Sequence, residues 1–114
     1  MQADLSMKIL IPIEGDLIAP RFDMANEVVV ATCYDRQLLE EPRSLLIATA
    51  SADVLCEMIF KEQVKTVICC GIEEECYRFL HWKKIVVFDS VIGPWKRALT
   101  LAMTGELQTG SILL

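Results

Sequence analysis

Histidine occurs once in the 114 residues, as His81. One imidazole cannot build a histidine zinc site, and no serine or cysteine stands beside it in sequence to form a nucleophile–base pair. His81 reads as a surface residue near a helix C-terminus, where positive charge is favoured. Glycine is scarce, with five residues. Gly71 opens a strand-to-helix turn, but no Gly-Lys-Ser/Thr follows it, and a single glycine makes neither a P-loop nor a dinucleotide fingerprint. The carboxylates Glu73, Glu74 and Glu75 beyond it suit a helix start but repel phosphate. Basic runs are short: Lys83-Lys84 and Lys96-Arg97 are the longest, and 16 acids against 11 bases leave a net charge of −5. Nucleic-acid binders draw most of their affinity from basic stripes, so no nucleic-acid partner is expected. No apolar stretch reaches 18 residues, so no membrane span is expected. Asp4 precedes the first apolar run, the reverse of the basic start of a secretory signal. A cytoplasmic location is expected.

What the chain has in quantity is apolar character, at 54% of residues. Its length fits one domain, expected over 7–107, with a flexible extension at 1–6 and a weakly patterned tail at 108–114. Five cysteines (Cys33, Cys56, Cys69, Cys70 and Cys76) form an odd set, which reads as reduced thiols rather than a disulfide framework.

The run MKILIPI at 7–13 predicts a strand buried on both faces. A loop over 14–25 follows, with a turn signal at Glu14-Gly15-Asp16 and Pro20 inside it. VVVATCY at 28–34 predicts a second strand, and the polar turn Asp35-Arg36-Gln37 sends the chain back through 38–48, where Pro42 forces a break or an edge position. Ser51 caps a helix predicted over 52–63, with Leu55 and Ile59 and either Cys56 or Met58 on its apolar stripe. KTVICC at 65–70 predicts a buried strand ended by Gly71. A helix follows over 72–81 with Ile72, Cys76, Phe79 and Leu80 on one face. IVVF at 85–88 is the last strand. Pro94 stands at the first position of a final helix, Trp95, Ala98, Leu99, Ala102 and Met103 form its stripe, and Gly105 closes it. The order β-β-β-α-β-α-β-α predicts an α/β domain with a mixed five-stranded sheet, antiparallel on one side and parallel on the other.

Ligands in open α/β sheets gather at the carboxyl ends of strands. Cys70 falls there and Cys76 follows about a turn into the next helix, so thiolates at these positions are candidate ligands for iron, copper or zinc. The spacing Cys-Cys-x5-Cys matches no standard metal signature, and adjacent strand residues point to opposite faces. Cys33, Cys56 and Cys69 read as small core hydrophobes. Glu14, Asp16, Asp23, Asp35 and Asp89 read as turn and cap residues rather than a two-metal hydrolytic site. No nucleophile elbow, zincin helix or catalytic dyad is present. These residues point to a non-enzymatic binding domain.

The segments MKILIPIEGDLIAPRFDMANEVVVATCY, TVICCGI and KKIVVFDSVIGPWKRALTLAMTGEL resemble, in order and spacing, the dinitrogenase iron-molybdenum cofactor biosynthesis family with its NifX- and NafY-like domains. The resemblance runs from Met7 to about Leu107. It implies a ribonuclease H-like three-layer fold without the nuclease acids. It also implies a role in carrying, protecting or delivering an iron–sulfur or molybdenum-containing cluster. The expected partners are that cluster or a cofactor-assembly protein, and the expected state is a monomer or weak homodimer. Carried onto this sequence, the cofactor-contacting residues are Arg21, Phe22, Met24, Cys70 and Gly71, with Cys70 and Cys76 as metal ligands. Two features depart from the family pattern. Arg21 stands where relatives often have histidine, and Glu73 to Glu75 replace a glycine-rich turn. The alternative is an interaction module of the same fold that has lost its cluster.

Overall fold

The computed structural model describes residues 7–114; the extension expected at 1–6 lies outside the described residues. Among the described residues, seven strands, three α-helices and one 3-10 turn follow in the order β1 (Met7–Glu14), β2 (Leu17–Ile18), the 3-10 turn Phe22–Met24, β3 (Glu27–Tyr34), β4 (Gln37–Leu38), β5 (Arg43–Leu46), α1 (Ala52–Lys61), β6 (Thr66–Ile68), α2 (Glu74–Trp82), β7 (Val86–Phe88) and α3 (Trp95–Thr104). All strands join one sheet, whose path runs β4-β3-β1-β6-β7. β3 is antiparallel to β1, and β6 and β7 are parallel to it and to each other. The mixed sheet is therefore antiparallel on one side and parallel on the other, as its sequence pattern predicts.

The sheet has seven strand segments rather than five. β2 is a short return after Gly15, at φ +63, that pairs Ile18 with Ile13 and Leu17 with Glu14. The return strand expected over 38–48 is split: β4 and β5 both pair with β3, and Glu40-Glu41-Pro42 interrupts them. Proline has no N–H to give the ladder, so pairing resumes only at Arg43. The β3–β4 turn holds Asp35 and Arg36 at φ +51 and +66, the two positive values that a type I′ hairpin demands.

Period-two alternation sorts the core into two layers. Ile9, Ile11, Ile13, Val29, Ala31, Cys33 and Ile68 face Ala98 and Leu99 of α3. Leu10, Val28, Val30, Val67 and Cys69 face Leu55 and Ile59 of α1 and Leu80 of α2. β1 sits between β3 and β6 and is buried from Ile9 to Ile13, as a strand covered on both faces must be. Ser51 caps α1 by accepting from the N–H groups of Asp53 and Val54. Gly105, at φ +80, ends α3 in the left-handed conformation.

Two helices start later than their sequences suggest. Pro94 is the N-cap of α3, not its first residue, because its ψ of 131° is extended rather than helical; Trp95 opens the helix and donates its N–H to the Asp16 carbonyl. α2 begins at Glu74 because Gly71 is held in a bridge to Arg21. The tail, unpatterned in sequence, is tied down by its main chain. Gly110 donates to Asp89, Ile92 to Ser111, and Leu113 to Ile92. Leu107 is buried against the α3 layer.

Candidate functional site

Because β1, β6 and β7 run parallel, their carboxyl ends share one edge of the sheet, and the loops 15–26, 69–73 and 89–94 meet there. Gly71 joins the first two. Its N–H donates to the Pro20 carbonyl at 2.9 Å, and its own carbonyl accepts from Phe22 N–H at 2.7 Å. A Cβ at position 71 would stand 2.8 Å from the Pro20 oxygen, so only glycine permits this approach. Phe22 anchors the loop from below, 1% exposed in the α1–α2 layer. The 3-10 turn then leaves Arg21 and Met24 on the surface, with Met24 65% exposed.

Arg21 spans two carboxylates. Its Nε and Nη2 donate to the two Asp23 oxygens at 2.9 and 3.0 Å, and Nη2 lies 3.8 Å from Glu73. The fork geometry is the bidentate one that arginine favours. The bond to Asp23 raises the Arg21 pKa and holds the Asp23 carboxyl below its ordinary range. Both groups are solvated, so the pair fixes direction rather than adding much stability.

The cysteines separate by face. Cys69 points into the α1–α2 layer and is fully buried; burial pushes its thiol up to about 12. Cys70, next in sequence, packs half-buried against the α3 layer. Cys76 packs on the α1–α2 side, and its sulfur lies 3.6 Å from Cys56, not against Cys70. The pairing of Cys70 with Cys76 expected from sequence is therefore replaced by Cys56 with Cys76. Strand alternation sends Cys70 to the face opposite the one α2 covers. Arg21, Phe22 and Gly71 do come together as expected, with Met24 one turn away.

From sequence alone Cys56 reads as a small core residue. Its signal was present, since Cys56 and Cys76 each lie on the apolar stripe of a helix, but nothing local shows that α1 and α2 are neighbours. Between these helices and the 3-10 turn opens a cleft of about 620 Å³. Phe22, Phe60 and Phe79 line it with the two thiols, and Asp23, Asp53, Glu57, Glu73 and Glu75 bring carboxylates to it. Phe60 and Phe79 meet edge to face at 5.7 Å. Cys76 hydrogen-bonds to Cys56, which lowers the Cys56 pKa and raises that of Cys76. Both sulfurs face an opening lined by carboxylates. Among the described residues, no group of three or more His, Cys, Asp or Glu side chains is placed to hold a metal ion, and no helix is long and apolar enough to cross a membrane.

Solved structures share this architecture. The likeness is one of fold. The protein PH0822 superposes with a TM-score of 0.81 at 18% identity, covering 90% of this chain and 94% of its own. A "putative dinitrogenase" from Methanococcus jannaschii gives 0.74 at 23% identity, over 93% and 94% of the two chains. A "putative NifB protein" from Thermotoga gives 0.67 at 14% identity, over 95% and 97%. No protein-family model matches the sequence, and no curated protein matches it.

Proposed function

We propose that this chain is a non-catalytic, cytoplasmic binding domain that carries, protects or delivers an iron–sulfur or molybdenum-containing cluster. The observation that carries the reading is the joint at Gly71. It draws Arg21 and Met24 from one loop and Cys70 and Gly71 from another to the carboxyl end of the parallel strands, the place where open α/β sheets take ligands. Arg21 supplies a cationic fork for an anionic cluster, and Cys70 and Met24 supply soft donors. The strand order supports a ribonuclease H-like scaffold, and the fold neighbours named for dinitrogenase and NifB agree with the resemblance in sequence.

The test is reconstitution with iron and sulfide under anaerobic conditions, followed by metal and sulfide analysis and an absorption spectrum. Near-stoichiometric iron with charge-transfer bands, lost in Cys70→Ser, supports the reading. A protein that stays colourless and iron-free overturns it. The opposing reading, an interaction module without a cluster, is favoured by one observation: Arg21 is already engaged by Asp23 and Glu73.

A further inference from the structure

The dithiol of Cys56 and Cys76 lies outside the loop site and has no part in the cluster reading. The two sulfurs are 3.6 Å apart, one on each of two helices, and both line the open cleft between them. Their separation has a chemical meaning. Zinc–sulfur bonds of about 2.3 Å at a tetrahedral angle put two sulfurs about 3.8 Å apart, whereas two such bonds in line need about 4.6 Å. The observed spacing, that of two thiols in hydrogen-bond contact, is close to the first value, so both sulfurs can reach one tetrahedral cation with little movement of either helix.

The surroundings select the sign of the guest. Asp53 and Glu57 flank Cys56 on α1, and Glu73 and Glu75 flank Cys76 at the start of α2; all four line the same cleft. Among the described residues, no lysine, arginine or histidine lines it. A cation is drawn in and an anionic cluster is repelled. Phe22, Phe60 and Phe79 lower the polarity behind the sulfurs, which strengthens a thiolate–metal bond over hydration.

We propose that Cys56 and Cys76 form an open two-thiolate site for a single thiophilic divalent cation of the zinc type. Each sulfur gives up its proton to solvent as the metal–sulfur bonds form, and the cation keeps two coordination positions for water or for a receiving protein. Two protein ligands hold less firmly than a closed four-ligand site, so the site suits capture and release rather than structural support.

The test uses the full chain, reduced and free of metal. Zinc is titrated in competition with a chromophoric chelator, and cobalt(II) serves as a spectroscopic stand-in whose sulfur-to-metal charge transfer reports thiolate ligation. One equivalent of metal with a thiolate–cobalt band is expected in the wild type and in Cys70→Ser. Cys56→Ser and Cys76→Ser are each expected to lose the band and to bind zinc at least tenfold more weakly. The wild type also offers a check that needs no variant: bound zinc is expected to protect Cys56 and Cys76, but not Cys70, from alkylation. A wild type without the cobalt band, a band that survives both single substitutions, or zinc protection that falls on Cys70 instead overturns the site. Because neither iron nor sulfide is present, a failure here leaves the cluster reading standing, and a failure of the cluster reading leaves this site standing.

Discussion

Gly71→Ala is the sharpest single perturbation of the loop end. The added methyl would lie 2.8 Å from the Pro20 carbonyl oxygen, where ordinary contact needs a gap several tenths of an ångström wider. That oxygen belongs to the backbone and cannot swing aside like a side chain. If the chain keeps its place, the overlap costs about 1–3 kcal/mol. If the Pro20–Phe22 loop withdraws, the hydrogen bonds at 2.9 and 2.7 Å open, and two bonds at about 1 kcal/mol each give a similar total. Either route costs about 2 kcal/mol. For a domain of this size, at about 4 °C per kcal/mol, the melting temperature falls by about 8 °C. Thermal unfolding followed by circular dichroism measures it. Gly110→Ala is the control: its φ of +83 taxes alanine, but no atom lies within 4 Å of the new methyl, so it carries only a backbone cost of about 1 kcal/mol. A Gly71→Ala protein that melts within about 2 °C of wild type would refute the close-approach argument.

Ser51→Ala removes the acceptor for the Asp53 and Val54 N–H groups and is expected to cost about 1 kcal/mol, seen as a lower denaturant midpoint with an unchanged slope. Cys69 gives a pH dependence of definite sign. Its folded pKa, about 12, lies above its unfolded value, so the native state holds the proton more tightly; its contribution is complete below about pH 8.5 and is lost as pH rises from there toward 12. Alkylation with mass mapping in native buffer is expected to leave the buried Cys33 and Cys69 unmodified until the protein unfolds, and rapid native modification of Cys69 would contradict its placement.

The sequence was most readable where one strand or helix could declare its own face. MKILIPI has no polar residue from Ile9 to Ile13, and it became the strand covered on both sides. Leu55 and Ile59 lie four apart and became the buried stripe of α1. Legibility failed where a partner distant in sequence decides the outcome. Residues 107–113 carry no period because main-chain bonds to Asp89 and Ile92 hold them, and such bonds need no particular side chain. Cys56 and Cys76 each look like ordinary stripe residues, and their meeting depends on how two helices lie across one sheet. Alternation places Cys70 opposite Cys69, and the helix after Gly71 returns over the Cys69 face, so Cys70 and Cys76 pack in different layers.

Charge divides this end of the molecule into two chemically different halves. On the loop side, Arg21 projects a guanidinium between Asp23 and Glu73. On the helix side, the cleft beside the dithiol is lined, among the described residues, by five carboxylates and no base. Asp23 belongs to both, holding Arg21 by two bonds while lining the cleft. Replacing Arg21 by alanine therefore acts on both halves with opposite sign. It removes the cation that the loop 15–26 offers an anionic cluster, and it frees Asp23 to deepen the negative potential over Cys56 and Cys76. Weaker uptake of an anionic cluster should accompany tighter uptake of a divalent cation, a reciprocity that loss of folding alone would not produce.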